Sequence, residues 1–270
     1  MMRSKEILIT TKKSRNRVFI ENESNAVPTV FLHGFTGTSK SWSEVISKIN
    51  TYSISIDIVG HGESYFNNLD LIYSENDWCE DLSEILSYLK IETINLCGYS
   101  MGGRLALAFT LKYPEKVNNL ILESTSTGIQ GKKERETRYQ EDLKLCKLIS
   151  SDFINFTQKW ESGPLFLNQE SRNRKAFICQ KKDRLSHKPQ QLIKSLKVFS
   201  QGKMEYQGDK FSTLNLPIKL ICGAEDEKYL KINKKMLQEN NNCSYHIIPF
   251  SVHNVHLENV DDFVEAIKLN

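Results

Sequence analysis

Thr93-Ile-Asn-Leu-Cys97-Gly98-Tyr99-Ser100-Met101-Gly102-Gly103-Arg104 is the stretch that decides how this chain folds. Thr93–Cys97 reads as a buried strand, and Leu105-Ala-Leu-Ala-Phe109 just beyond reads as a helix. Between them stands G-x-S-x-G in its required setting of strand, sharp turn and helix. Such a turn holds its serine in a strained backbone conformation, with Oγ exposed at the carboxyl edge of a sheet. Gly98 and Gly102 let strand and helix approach, and the helix N-terminus brings N–H groups and a positive dipole end to the reacting atom. Ser100 is therefore the candidate nucleophile or base. The bland alternative is an ordinary glycine-rich turn.

Outward from this turn, short apolar runs alternate with amphipathic stretches. Strands are expected at Pro28–His33, Tyr52–Asp57, Thr93–Cys97, Val117–Glu123, Ile218–Cys222 and Ser244–Pro249, with helices near 39–49, 75–90, 101–113, 228–240 and 258–268. This alternation predicts an α/β fold with a mostly parallel sheet flanked by helices. Lys5–Glu21 reads as an edge hairpin turning at Thr11–Asn16. Between about 125 and 205 the alternation stops, and the segment is charged and rich in helix formers. The expected organisation is a core of residues 1–124 and 206–270 with a helical cap, 125–205, inserted between two strands. The order serine, acid, histidine along such a chain is that of the α/β-hydrolase fold.

The acid and histidine then have defined places. After Ile218–Cys222 comes Gly223-Ala-Glu225-Asp226-Glu227, and Asp226 is the candidate because G-x-x-D follows this strand in the fold. Glu225 and Glu227 compete with it. After the last strand comes Val252-His253-Asn254-Val-His256, where His253 is the candidate base and His256 its rival. His33 in His33-Gly34-Phe35-Thr36-Gly37 and His61 in Gly60-His61-Gly62 read as structural, and His187 and His246 carry no motif. The Phe35 and Met101 amides are the candidate oxyanion hole. His253 would take the Ser100 proton while Asp226 fixes its tautomer. The fold alone does not say whether Ser100 then attacks carbon or removes a proton.

Composition narrows the setting. The 270 residues are 39% hydrophobic and 26% charged, an ordinary globular balance. No run approaches the roughly 20 apolar residues of a membrane span, and the start lacks an apolar signal core, so a cytoplasmic protein is expected. Six scattered cysteines form no metal-ligand spacing, and neither metal nor cofactor is expected. The net charge of +3 hides an asymmetry: residues 125–205 hold 17 Lys and Arg against 9 Asp and Glu. A basic segment over a mildly acidic body suits an anionic small molecule, or is only a solvated helical face. No nucleic-acid-binding motif is present. The sequence does not choose between monomer and dimer.

Gly98-Tyr-Ser-Met-Gly-Gly-Arg104, His33-Gly-Phe-Thr-Gly37 and His253-Asn-Val-His256-Leu-Glu258 together resemble the MenH family, the 2-succinyl-6-hydroxy-2,4-cyclohexadiene-1-carboxylate synthases. The resemblance implies a lyase of menaquinone biosynthesis. It would remove pyruvate from an enolpyruvyl cyclohexene bearing several carboxylates, with Ser100 as base. It further implies substrate contacts from Arg104, Arg138, Arg184 and Trp160, with Tyr99 lining the pocket. Arg104, one turn after Ser100, opposes the helix dipole and so calls for a carboxylate partner, from substrate or protein. The chain departs from the family at Val252, where Gly is frequent, and at Thr38, where Ser is. A serine esterase or carbon–carbon bond hydrolase would use the same triad, and a non-catalytic binding module the same fold.

Overall fold

The computed structural model describes residues 4–166 and 168–269. The apolar runs form one nine-stranded sheet ordered β1-β2-β4-β3-β6-β7-β8-β9, with β5 pairing β2. The strands are β1 (Ser4–Thr10), β2 (Ser14–Glu21), β3 (Thr29–Leu32), β4 (Ser53–Ile56), β5 (Tyr65–Phe66), β6 (Ile94–Tyr99), β7 (Val117–Glu123), β8 (Ile218–Gly223) and β9 (Cys243–Ile248). β1 and β2 are antiparallel at the edge, β2 joins β4 antiparallel, and every pair from β4 to β9 is parallel.

Helices follow the strands: α1 (Ser43–Ile49), α2 (Glu75–Tyr88), α3 (Met101–Lys112), then α4 (Lys132–Ser151), α5 (Phe153–Glu161), α6 (Gln169–Arg172), α7 (Arg174–Ser186), α8 (Pro189–Phe199) and α9 (Gly208–Phe211). After β8 come α10 (Glu227–Glu239), α11 (Val255–Glu258) and α12 (Val260–Ile267). Side chains alternate across the pleat, so each strand feeds two cores. Leu96, Leu120, Leu122 and Leu220 join α2 and α3 in one cluster, while Cys97, Ile121 and Ile221 join α1 and α12 in the other. Each such side chain taken from water contributes about 1.5–3 kcal/mol. A third cluster holds the segment between β7 and β8 together through Ile149, Phe156, Leu192 and Leu196, and Phe35 of the sheet-edge loop packs against it.

Three details differ from the sequence reading. The hairpin turn is tighter, Thr11–Ser14, because the Thr11 amide and hydroxyl both donate to the Ser14 carbonyl. β5 has only two residues and gives no periodic signal. The last helical stretch is broken at Asn259, whose side chain caps α12 by accepting from the Asp262 amide.

Candidate active site

Ser100 ends β6 and caps α3 with φ 52° and ψ −108°, a conformation that L-residues avoid. It is held there from both sides. Its amide donates to the Glu123 carbonyl at 2.9 Å, and its carbonyl accepts from the Thr125 hydroxyl at 2.7 Å. The turn has no room for side chains beside it: a Cβ on Gly98 would lie 2.4 Å from the Gly102 carbonyl oxygen, and one on Gly102 the same distance from that of Leu32.

The acid comes from the loop after β8. Asp226 caps α10, one carboxylate oxygen accepting from the Tyr229 amide at 3.1 Å and the other from His253 Nδ1 at 2.8 Å. His253, after β9, puts Nε2 3.0 Å from Ser100 Oγ. The network assigns the proton on Nδ1 to Asp226 and leaves Nε2 to accept from the hydroxyl. His253 and Asp226 are both buried.

The rival residues lie elsewhere. Glu225 is exposed and pairs with Arg172, and Glu227 is exposed in the first turn of α10. His256 is fully buried, bonded through Nδ1 to Glu123 at 2.8 Å and stacked on Trp42 at 3.9 Å. His33 lies under the Phe35 loop, accepting from the Ile58 amide and donating to the Gly34 carbonyl, and burial lowers it to about 4. His187 reaches the same loop from the helical segment, donating to the Thr36 carbonyl at 3.0 Å.

Ser100 and His253 open onto a chamber of about 80 Å³, walled also by Phe35, Tyr99, Met101, Trp160 and Phe166. Neither the Phe35 nor the Met101 amide donates a hydrogen bond to any described residue. Trp160 meets the Phe35 ring edge-on at 5.4 Å. Tyr99 packs between His253 and His256. A wider hollow of about 640 Å³ adjoins the chamber and shares Arg138, Gln201 and Lys228 with it.

The arginines divide. Arg104 lines the chamber, buried, with only the Phe199 carbonyl at 3.1 Å and the Met204 sulfur at 3.5 Å as partners. Among the described residues no carboxylate comes within ion-pair distance of it, and burial lowers its guanidinium to about 10. Arg138 also lines the chamber, but bonds Asp142 at 3.0 Å and Gln201 at 3.3 Å. Arg184 departs from expectation, because it is not in the chamber wall. It is buried with its guanidinium 4.6 Å from the centre of the Phe166 ring, and donates to Gln180 at 2.7 Å. Phe166, rather than Arg184, forms the wall. The sequence reading missed Lys228, Tyr229 and Gln201 as lining residues. Lys228 was within reach of it, being two residues beyond Asp226 in the first turn of α10.

Residues 27–260 match the family model of the alpha/beta hydrolase fold. A Bacillus subtilis protein named as a 2-succinyl-6-hydroxy-2,4-cyclohexadiene-1-carboxylate synthase is 36% identical over 88% of this chain and 86% of its own length. The chain belongs to the MenH family. MenH from S. aureus superposes with a TM-score of 0.86 at 30% identity, covering 95% of this chain and 97% of the other. A thermophilic esterase from Thermogutta terrifontis superposes almost as well, with a TM-score of 0.83 at 19% identity over 97% of this chain and 96% of its own. The backbone alone therefore does not separate MenH chemistry from ester hydrolysis. Among the described residues, no helix is long and apolar enough to cross a membrane.

Proposed function

We propose that this MenH-family chain eliminates pyruvate from 2-succinyl-5-enolpyruvyl-6-hydroxy-3-cyclohexene-1-carboxylate, a step of menaquinone biosynthesis. The product is 2-succinyl-6-hydroxy-2,4-cyclohexadiene-1-carboxylate. One observation carries the reading beyond family membership: Arg104 is a buried cation with no carboxylate partner among the described residues, in the same chamber as Ser100. Burying an unpaired guanidinium is costly unless a ligand completes it. A substrate carboxylate does so, and a neutral ester does not. Arg138 and Lys228 add positive charge to the same wall.

The steps follow from the geometry. His253 Nε2 takes the Ser100 proton, and Asp226 stabilises the resulting imidazolium. Ser100 Oγ removes a ring proton, and the charge spreads to the succinyl carbonyl, where the Phe35 and Met101 amides donate to it. The carbon–oxygen bond to the enolpyruvyl group breaks, a ring double bond forms, and His253 returns its proton to the leaving group. No acyl-enzyme is needed. Tyr99 and Trp160 would pack against the ring.

A chamber of about 80 Å³ is smaller than the roughly 300 Å³ or more of a small-molecule site. On this reading residues 125–205 form a cap over the core of 1–124 and 206–270, and substrate reaches the chamber by way of the adjoining hollow or by movement of the cap.

The test offers the purified protein the enolpyruvyl substrate and p-nitrophenyl esters. Rapid pyruvate release with little ester cleavage is expected, and the opposite ratio would replace the lyase by an esterase.

A further inference from the structure

The tail Val252-His253-Asn254-Val-His256-Leu-Glu258 contains an acid that the mechanism leaves unused. Glu258 has a fully buried side chain. One of its oxygens accepts from the Val252 amide at 2.7 Å, and the other from the Asn254 amide at 3.4 Å. These are the two neighbours of His253, so Glu258 grips the histidine loop on both sides. Its charge is met by Arg172 Nη1 at 2.9 Å.

Arg172 ends α6, within the helical segment between β7 and β8. Its other terminal nitrogen, Nη2, donates to Glu225 at 2.5 Å, and Glu225 immediately precedes Asp226. The next residue, Asn173, donates to the Leu257 carbonyl at 2.9 Å. A single guanidinium from the inserted segment thus joins the loop of the acid to the loop of the histidine. A planar fork can hold two carboxylates at fixed separation, which an ammonium cannot.

We infer that Arg172 is a positioning residue: by bridging Glu225 and Glu258 it sets the register of Asp226 against His253. The inference rests on the reading of Ser100, His253 and Asp226 as a working triad. Arg172 touches none of the three, and its action passes through the two glutamates.

The experiment compares wild type with Arg172→Met, Arg172→Lys and Glu225→Gln. Two quantities are measured: kcat and KM for pyruvate release, and the low-field proton resonance of His253 Nδ1 in protein with isotope-labelled histidine, assigned by its loss in His253→Gln. Arg172→Met should lower kcat by about 10- to 100-fold with KM nearly unchanged, the scale expected when reacting groups are slightly misplaced. It should also shift or broaden the resonance. Arg172→Lys and Glu225→Gln should fall between, each keeping one arm of the bridge. Glu225→Gln, a change at an exposed site, keeps the experiment decisive where Arg172→Met does not fold. Wild-type kcat and an unmoved resonance in these variants, with only a lower melting temperature, would reduce Arg172 to an anchor and overturn the proposal. Should wild type release no pyruvate at all, the lyase reading fails alone, and the resonance still decides the role of Arg172.

Discussion

Two buried acid–imidazole pairs flank the Tyr99 ring, and they share the same acid-to-Nδ1 contact. His253 meets Asp226 and His256 meets Glu123, each through Nδ1 at 2.8 Å. Both imidazoles pack against Tyr99, at 5.3 and 5.0 Å between centroids. They differ in what the far nitrogen faces. His253 Nε2 meets Ser100 Oγ at the chamber, whereas His256 Nε2 is buried without a partner and its ring lies flat on Trp42. An acid beside a histidine therefore does not make a base. A reachable hydroxyl and a space for substrate do, and the second pair ties β7 to α11.

The sharpest way to break this comparison is to remove each histidine in turn. His253→Gln and Ser100→Ala should each lower kcat by about 10,000-fold or more while the fold survives, because the triad acts as a unit. His256→Gln should do the reverse. Leaving the Glu123 carboxylate buried without its imidazole should cost about 3–5 kcal/mol of stability, with kcat kept within about tenfold. The checks are steady-state pyruvate release and urea unfolding for each variant. Equal kinetic damage from both histidines would mean that the two pairs are not functionally distinct.

A third group sharpens the contrast, because its histidines hold no carboxylate. His33, His61 and His187 meet edge to face, with centroids 5.0 and 5.3 Å apart, and burial lowers all three below the ordinary histidine range. Well above pH 6.5 these rings are neutral in both folded and unfolded chains, so they contribute no pH dependence there. As the pH falls below 6.5 the unfolded chain takes up protons that the folded one refuses. Stability should therefore decline as the pH falls through about 6.5, with His33 contributing to the decline until it titrates near 4 in the folded chain. For His33 alone the loss by pH 4 is on the order of 3 kcal/mol. Urea unfolding from pH 7 to pH 4.5 reads the slope, and His61→Phe should make it shallower. A flat profile in wild type would show that the cluster protonates freely when folded.

Most of this architecture was legible because it is encoded locally. The strands are short apolar runs, and the three triad loops carry their residues at fixed offsets from strand ends. Ser100, Asp226 and His253 could thus be picked out before any contact was known. What was not legible depends on contacts distant in sequence. The Arg172–Glu258 bridge spans 86 residues, and nothing within α6 distinguishes Arg172 from the other basic residues of the helical segment. Arg184 illustrates the converse: a basic residue in a helix pattern reads the same whether it faces substrate or stacks behind Phe166. Lys228 belongs to no motif and was not singled out, although its offset from Asp226 already put it near the site.

The smallest effect on stability concerns a buried cation with no acid partner among the described residues. Arg104 contrasts with both acid–histidine pairs: they are complete within the protein, and it is not. If a substrate carboxylate completes it, Arg104→Met should lower kcat/KM for the enolpyruvyl substrate by about 30-fold or more, the lower end of the roughly 2–5 kcal/mol range for truncating one side of a buried ion pair. The same change removes a desolvated cation held by one carbonyl and a sulfur, in favour of an unbranched apolar side chain that fits irregular gaps. Stability should therefore rise, by about 1 kcal/mol, as when buried ionic groups give way to apolar ones. Opposite signs in the two measurements are the signature of a residue kept for its ligand at the expense of the fold. A variant that lost stability and kept kcat/KM would instead make Arg104 a strut between α3 and the end of α8, and the anionic substrate would lose its main support.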